Sequence, residues 1–193
     1  MSLLFLACVV WTAYFLYRAC PGIPMLVWGL IGAWLAFAAS GLIRIPLLLV
    51  PPLLFILWVL FRRHSFVDSV NLKFLTILHT VRIGVEIVLW MLFEATLIPK
   101  VMTFEGRNFD IIAGITAPLI AWLAFKDGKV NRTLLGFWNL ACLCLLINIV
   151  ATAGINRPAV MSTMPYAWLP GFVVPVVFAS HLFVLCRWWR GTL

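Results

Sequence analysis

The sequence contains no glutamine, and in 193 positions it has only six acidic residues and three histidines. So few water-seeking side chains cannot coat a buried core, which excludes an ordinary soluble domain. The first 62 residues carry no Asp, Glu or His at all, so acid–base chemistry is confined to the chain from His64 onward. Cysteine clusters are missing as well. Cys8, Cys20, Cys142, Cys144 and Cys186 are scattered, and Cys142 and Cys144, two apart, point to nearly opposite sides of a helix and do not pinch one metal. They read as small apolar fillers. Period-two alternation of the kind that marks a membrane barrel is absent too.

What fills the chain instead is hydrocarbon. It is 65% hydrophobic and 10% charged, with a mean hydropathy of +1.12. The apolar runs recur at about 17–25 residues, the length a helix needs to cross a hydrocarbon layer about 30 Å thick. Helices satisfy their own backbone amides in lipid, so the predicted class is an all-α membrane protein, a bundle of about seven transmembrane helices. The predicted spans are 1–18, 24–41, 46–62, 72–97, 109–126, 133–152 and 168–188. Breakers separate them: Pro21-Gly22, Pro46, Pro99 and the turn Lys126-Asp127-Gly128-Lys129. The first run has no basic leader and no small-residue exit, and it reads as a span and not as a cleavable signal. The whole of 1–193 reads as one transmembrane domain, with apolar packing helices over 1–62 and the polar constellation over 64–193.

The net charge of +8 does not indicate nucleic acid, because the basic residues stand singly or in pairs at the ends of apolar runs. With seven spans, Arg18, Arg62, Arg63, Lys73, Lys126, Lys129, Arg132, Arg187 and Arg190 fall on one side, and Arg44, Lys100, Arg107 and Arg157 on the other. Nine against four predicts the first side as cytoplasmic, the N-terminus outside and the C-terminus inside. Trp122, Trp138, Trp188 and Trp189 near one edge, and Tyr166 and Trp168 near the other, agree with that frame.

The fourth span is the informative one. His79, Arg82 and Glu86 are spaced i, i+3, i+7, which puts them on one helix face. A buried arginine costs roughly 2.5–3.5 kcal/mol on insertion scales, so this face is expected to turn away from lipid. Counting residues from the cytoplasmic end places His79, His181 and Asn139 in one layer, about 10 Å deep for His79, with Arg82 above and Glu86 and Asn148 higher still. Arg82 and Glu86, at i and i+4, also form a natural neutralising pair. These six residues are the candidate ligand site. The loop Thr103–Asp110 is the second cluster: Asn108 or Asp110 caps the fifth span, Glu94 pairs with Arg107 across the loop, and Glu105 joins them at the outer mouth of the site. Pro51-Pro52, Pro118, Pro170 and Pro175 mark kinks or freed carbonyls.

On His79-Thr80-Val81-Arg82, Glu86 and Glu105-Gly106-Arg107-Asn108-Phe109-Asp110, the chain resembles a group of small bacterial polytopic membrane proteins, mainly over residues 74–185. That resemblance carries no known activity and implies a bacterial inner membrane. Better-known seven-span classes fit poorly. Residues 168–188 hold no lysine for a retinal Schiff base, there are no Pro-Gln pairs, and only two histidines are intramembrane where a zinc hydrolase wants three. No residue reads as a nucleophile, so no catalytic residue, cofactor or metal is assigned.

The expected partners are the lipid bilayer and a small ligand, with a second copy or another membrane protein as further candidates and nucleic acid excluded. The leading expectation is a pocket for a small amphiphilic or anionic molecule, with Arg82 holding the anion, Glu86 and His79 managing protons and His181 completing the wall. The alternatives are a structural or assembly subunit docking through Arg82 and Glu86, a haem protein ligated by His79 and His181, and a small transporter acting as an oligomer.

Overall fold

The computed structural model describes residues 1–43, 47–126 and 128–193. The expectations attached to Arg44, Pro46 and Asp127 lie outside them. Among the described residues there is no strand, and the helices are α1 (Ser2–Ala19), α2 (Met25–Ala39), α3 (Val50–Arg62), α4 (His64–Ser69), α5 (Leu72–Leu78), α6 (Val81–Glu94), α7 (Ile111–Ala124), α8 (Arg132–Asn156) and α9 (Val174–Arg190). A π-helical turn, Leu169–Val173, leads into α9.

Among the described residues, four helical stretches are long and apolar enough to cross a membrane: Ser2–Ala19, Leu72–Glu94, Arg132–Asn156 and Leu169–Arg190. The other three expected spans form apolar helices of 15, 13 and 14 residues, α2, α3 and α7. Each is shorter than the roughly 20 residues that cross a bilayer at right angles. Their ends explain why. Pro24 delays the start of α2 and Gly41, at φ +71°, follows its last turn; Pro51-Pro52 occupy the first turn of α3, and Asp110 stands at the N-cap of α7. Large apolar side chains cover the outside, Leu3 and Met25 at 84% exposure and Trp189 at 92%, a surface suited to lipid and not to water.

α1 packs against α5 and α6, α7 lies between α6 and α8, and α9 closes against α3, α5 and α8. The expected span over 72–97 is one apolar stretch, Leu72–Glu94, built of two helices, α5 and α6. It breaks at His79-Thr80, where Arg82 N–H reaches back to the His79 carbonyl and Ile83 N–H to that of Thr80, a three-residue reach. Thr80 Oγ1 donates to the Ile77 carbonyl at 2.8 Å and competes with the helical ladder there. α6 also stops at Glu94, three residues early, because Thr96 takes φ +59° and Leu97 N–H closes on the Leu92 carbonyl at 2.9 Å.

Small residues set the helix spacing. Ala113, Ala117, Ala121 and Ala124 form a fully buried edge of α7, which lets neighbouring backbones approach. Where α6 meets α1, a side chain at Gly84 would collide with Cys8 Sγ at 2.6 Å.

The proline in the first turn of α9 frees a carbonyl that is then used. Pro175 has no N–H to return to the preceding turn, and the Gly171 carbonyl accepts the Trp34 indole N–H at 3.0 Å instead. Trp168 reciprocates, donating to the Leu35 carbonyl at 2.9 Å, so α2 is pinned to the π turn from both sides. Trp34→Phe keeps the packing and removes one donor. Its expected cost is about 1 kcal/mol, read as a lower melting temperature in detergent.

Candidate functional site

His79, Arg82, Glu86, Asn108, Asp110, Asn139, Ser180 and His181 are all at most 6% exposed. They form one connected polar track through the bundle. Arg82, one turn into α6, is its centre. Its Nε donates to Asp110 Oδ2 at 2.6 Å and its Nη2 donates to Asp110 Oδ1, a two-bond pairing of guanidinium with carboxylate. The same Nη2 donates to the Cys142 carbonyl of α8 at 3.3 Å, and Nη1 lies 3.1 Å from His181 Nε2 of α9. One side chain thus ties α6 to the start of α7, to α8 and to α9.

The hydrogen bonds define the histidine tautomers. Asn139 Nδ2 donates to the Leu135 carbonyl at 2.8 Å, so its Oδ1 is the acceptor facing His181 Nδ1 at 2.8 Å. His181 Nδ1 therefore carries the hydrogen and Nε2 offers its lone pair to Arg82. Ser180 has one hydroxyl proton, and it goes to the Val177 carbonyl at 2.7 Å. His79 Nε2, 2.9 Å from Ser180 Oγ, is then the donor of that bond, which leaves His79 Nδ1 a bare acceptor. That nitrogen is buried without a hydrogen-bond partner among the described residues. The His79 ring stacks on His181 at 4.2 Å between centroids and meets Trp138 edge-on at 5.3 Å. Trp138 is itself held by Thr116 Oγ1 at 2.9 Å.

At the other end of the track the loop before α7 folds back into the bundle. Gly106 permits this, since a Cβ there would collide with the Lys100 carbonyl. Asn108, fully buried, accepts from the Asp110 amide at 3.1 Å and donates to the Met102 carbonyl at 3.2 Å and to Glu86 Oε1. Glu86 Oε2 has no partner among the described residues although Glu86 is only 1% exposed.

Several expectations change on this geometry. The partner of Arg82 is Asp110 and not Glu86, because the backward-folded loop brings both Asp110 oxygens onto the guanidinium while Asn108 holds Glu86 Oε1. Asp110 stands at the N-cap of α7, but its carboxylate is spent on Arg82 and makes no cap bond. Asn108 is no mouth residue either; its amide braces Asp110 and Glu86 from inside. Asn148 is exposed and reaches the Arg107 carbonyl at 2.8 Å, away from the buried track. Glu94 and Arg107 are exposed and form no pair, while Glu105 accepts from the Trp90 indole at 3.0 Å and meets Lys100 at 3.3 Å. The His79–His181 stack leaves no slot for a porphyrin between the two rings. Among the described residues, no three His, Cys, Asp or Glu side chains cluster to hold a metal ion.

Ser180 and the Cys142 carbonyl belong to the track and went unread in the sequence, and Trp138, expected at a membrane edge, packs against His79 instead. Ser180 had a signal, a lone hydroxyl beside His181 in an apolar run. The Cys142 carbonyl had none, because any residue type offers one.

Among the described residues one small cavity touches the track and a larger one lies beside it. One of about 20 Å³ is lined by Val81, Arg82, Val85 and Asp110 together with residues of α8 and α9, enough room for a single water. The other, about 90 Å³ and wholly apolar, is walled by Leu89, Met102, Ile149, Gly154, Met161 and Pro170 among others. Leu169 and Val174 line both.

The domain of unknown function DUF8737 matches residues 42–188, well over half of the chain. The chain belongs to that family. The DUF8737 match takes in every residue of the polar track and both cavities, and leaves α1 and α2 outside it. No curated protein and no solved structure matches the chain.

Proposed function

We propose that this DUF8737 protein is a multi-pass protein of a bacterial inner membrane whose helix bundle binds one small amphiphilic molecule. Its tail lies in the apolar cavity between α6, α8 and the π turn, and its polar head turns toward Arg82 and Asp110. The observation that carries this reading is the shared wall of the two cavities: Leu169 and Val174 face a purely apolar space on one side and the buried ion pair on the other. A wholly apolar recess of about 90 Å³ takes in part of an alkyl chain, and the ion pair lies on the far side of the wall it shares with the smaller cavity.

In this reading α2, α3 and α7 cross beside the four longer helices to make seven spans, with the N-terminus outside. What supports the orientation is the gathering of basic residues at one end. Arg18 lies 4.6 Å over the Phe74 ring, Arg187 donates to the Val70 carbonyl at 3.1 Å, and Arg190 pairs with Asp68 at 2.5 Å.

Gly154 offers the test, because a Cβ there meets nothing within 4 Å. Gly154→Trp sets a bulky side chain on the wall of the apolar cavity, at a position whose Cβ meets no atom. Dodecylamine and lauric acid serve as probes, with binding followed by native mass spectrometry of protein released from zwitterionic nanodiscs. Wild type is expected to bind at least one of them saturably, and Gly154→Trp to bind about tenfold more weakly at an unchanged melting temperature. No saturable binding, or binding indifferent to the tryptophan, overturns the proposal.

A further inference from the structure

At one end of the bundle the cations are unequally matched. α8 begins at Arg132 and α9 ends at Arg190, and each belongs to a stretch long and apolar enough to cross a membrane. The two ends lie side by side. A Cβ at Gly191, just past α9, would stand 3.5 Å from Arg132 Nη2, and the Trp188 ring covers Gly136 of α8. This level is one edge of the hydrocarbon, where a phospholipid carries its phosphate.

Several cations at this end are already engaged. Arg190 pairs with Asp68 at 2.5 Å, and Arg187 donates to the Val70 and Thr192 carbonyls, each at 3.1 Å. Arg18 donates to the Tyr14 hydroxyl at 2.7 Å. Lys129 and Arg132 differ. Both are exposed, and the side chain of neither makes a hydrogen bond or ion pair among the described residues. Lys126 rests 5.9 Å from the centre of the Trp122 ring, which holds the ammonium without neutralising it. Against these three cations the sequence from 126 to 132 sets one acid, Asp127, so the segment keeps a positive surplus.

The surroundings of this charge are apolar. Trp122 is 61% exposed and Trp189 92%, and indole rings favour the head-group level of a bilayer. From Thr133 the outward face of α8 runs through Phe137, Leu140 and Cys144, at steps of four, three and four residues, and all are exposed. A soluble anion would use the charge and leave that strip uncovered. A phosphate head with an acyl chain uses both. None of these residues lines either cavity, so this surface is separate from the amphiphile site above.

We propose that Lys129 and Arg132, with Lys126 beside them, hold the phosphate of an anionic phospholipid in the leaflet at this end of the bundle. Its acyl chain lies along Phe137, Leu140 and Cys144. Basic residues where helices leave the membrane are suited to such head groups, through charge that no neighbouring carboxylate has taken up.

The test is native mass spectrometry of the full chain released from phosphatidylcholine nanodiscs that contain a minority of phosphatidylglycerol. Wild type is expected to retain phosphatidylglycerol about fivefold or more above its share of the disc, the scale of one cation at a membrane surface. Lys129→Gln/Arg132→Gln is expected to lose that enrichment at an unchanged melting temperature, because neither side chain bonds to the fold. Arg62→Gln/Lys73→Gln is the control. It removes as much charge from exposed positions that flank the segment gripped by the last turn of α9, and it is expected to keep the enrichment. Arg132→Lys, which preserves the charge, is expected to keep it as well. No enrichment in wild type overturns the proposal, as does enrichment that survives Lys129→Gln/Arg132→Gln. Equal loss in both double variants would show attraction by bulk charge alone and overturn the site. Displacement of the lipid by inorganic phosphate, but not by chloride of equal ionic strength, would assign the patch to a soluble anion and overturn it too.

Discussion

Asp110→Asn is expected to destabilise the bundle by about 3–5 kcal/mol, the usual consequence of removing one partner from a buried ion pair. The asparagine keeps the shape but offers one oxygen where Arg82 now uses two, and it removes the carboxylate bonded to a guanidinium that is 2% exposed. The uncompensated cation would sit among Leu146, Val173 and Val177, which contribute no polar atom from their side chains. The expected readout is a large fall in melting temperature in mild detergent. Arg82→Gln alone should cost a comparable amount, because it strands Asp110 and also removes the donor to His181 Nε2 and to the Cys142 carbonyl. The double variant Arg82→Gln/Asp110→Asn carries no net charge into the core. Its loss is expected to fall well short of the sum of the two single losses, a coupling that a double-mutant cycle measures directly. Additive losses would show that the two side chains do not act as a pair.

Gly114→Ala is the second large effect. A Cβ at this position of α7 would stand 2.8 Å from Ile83 Cγ1 and 2.9 Å from the Ile83 backbone nitrogen. A side-chain tip could move aside, but backbone of α6 cannot, so the helices must part. Overpacking of this kind costs about 1–3 kcal/mol. The displaced elements are the two that carry Arg82, next to Ile83, and Asp110, at the head of α7. Separation of α6 from α7 therefore loosens the ion pair as well. Gly154→Ala is the control: it meets no atom within 4 Å and is expected to stay within about 0.5 kcal/mol of wild type. Equal melting temperatures for the two variants would contradict the close α6–α7 crossing.

Much of the helical layout is legible from composition and punctuation. The helices α1, α8 and the α9 segment lie where the apolar runs put them, because those runs are long and their ends carry Pro, Gly or Asn. The early end of α6 was not legible, since it depends on Thr96 accepting a left-handed conformation that its residue type disfavours. The break at His79-Thr80 was equally hidden, being one threonine hydroxyl choosing a carbonyl three residues back. Within the site, the meeting of His79, Arg82, Asn139 and His181 follows from matching depths along neighbouring helices, an argument that needs only 1.5 Å per residue. Depth could not say that Asn148 faces outward, because its contact is a loop carbonyl. Nor could it say that Asp110 and Asn108 turn inward, because their direction is set by the tight return at Gly106.

The amino-acid order alone determined that this is an all-helical, lipid-compatible chain whose ionisable groups are concentrated after residue 62. Both properties are sums over residues, and sums need no coordinates. Which oxygen answers which nitrogen was decided only by the tertiary structure. A buried charge must find a partner, but in a bundle the partner is chosen by approach angle and by the loop that delivers it. Here a short loop folded inward gave Arg82 to Asp110, and so left Glu86 with an oxygen to spare.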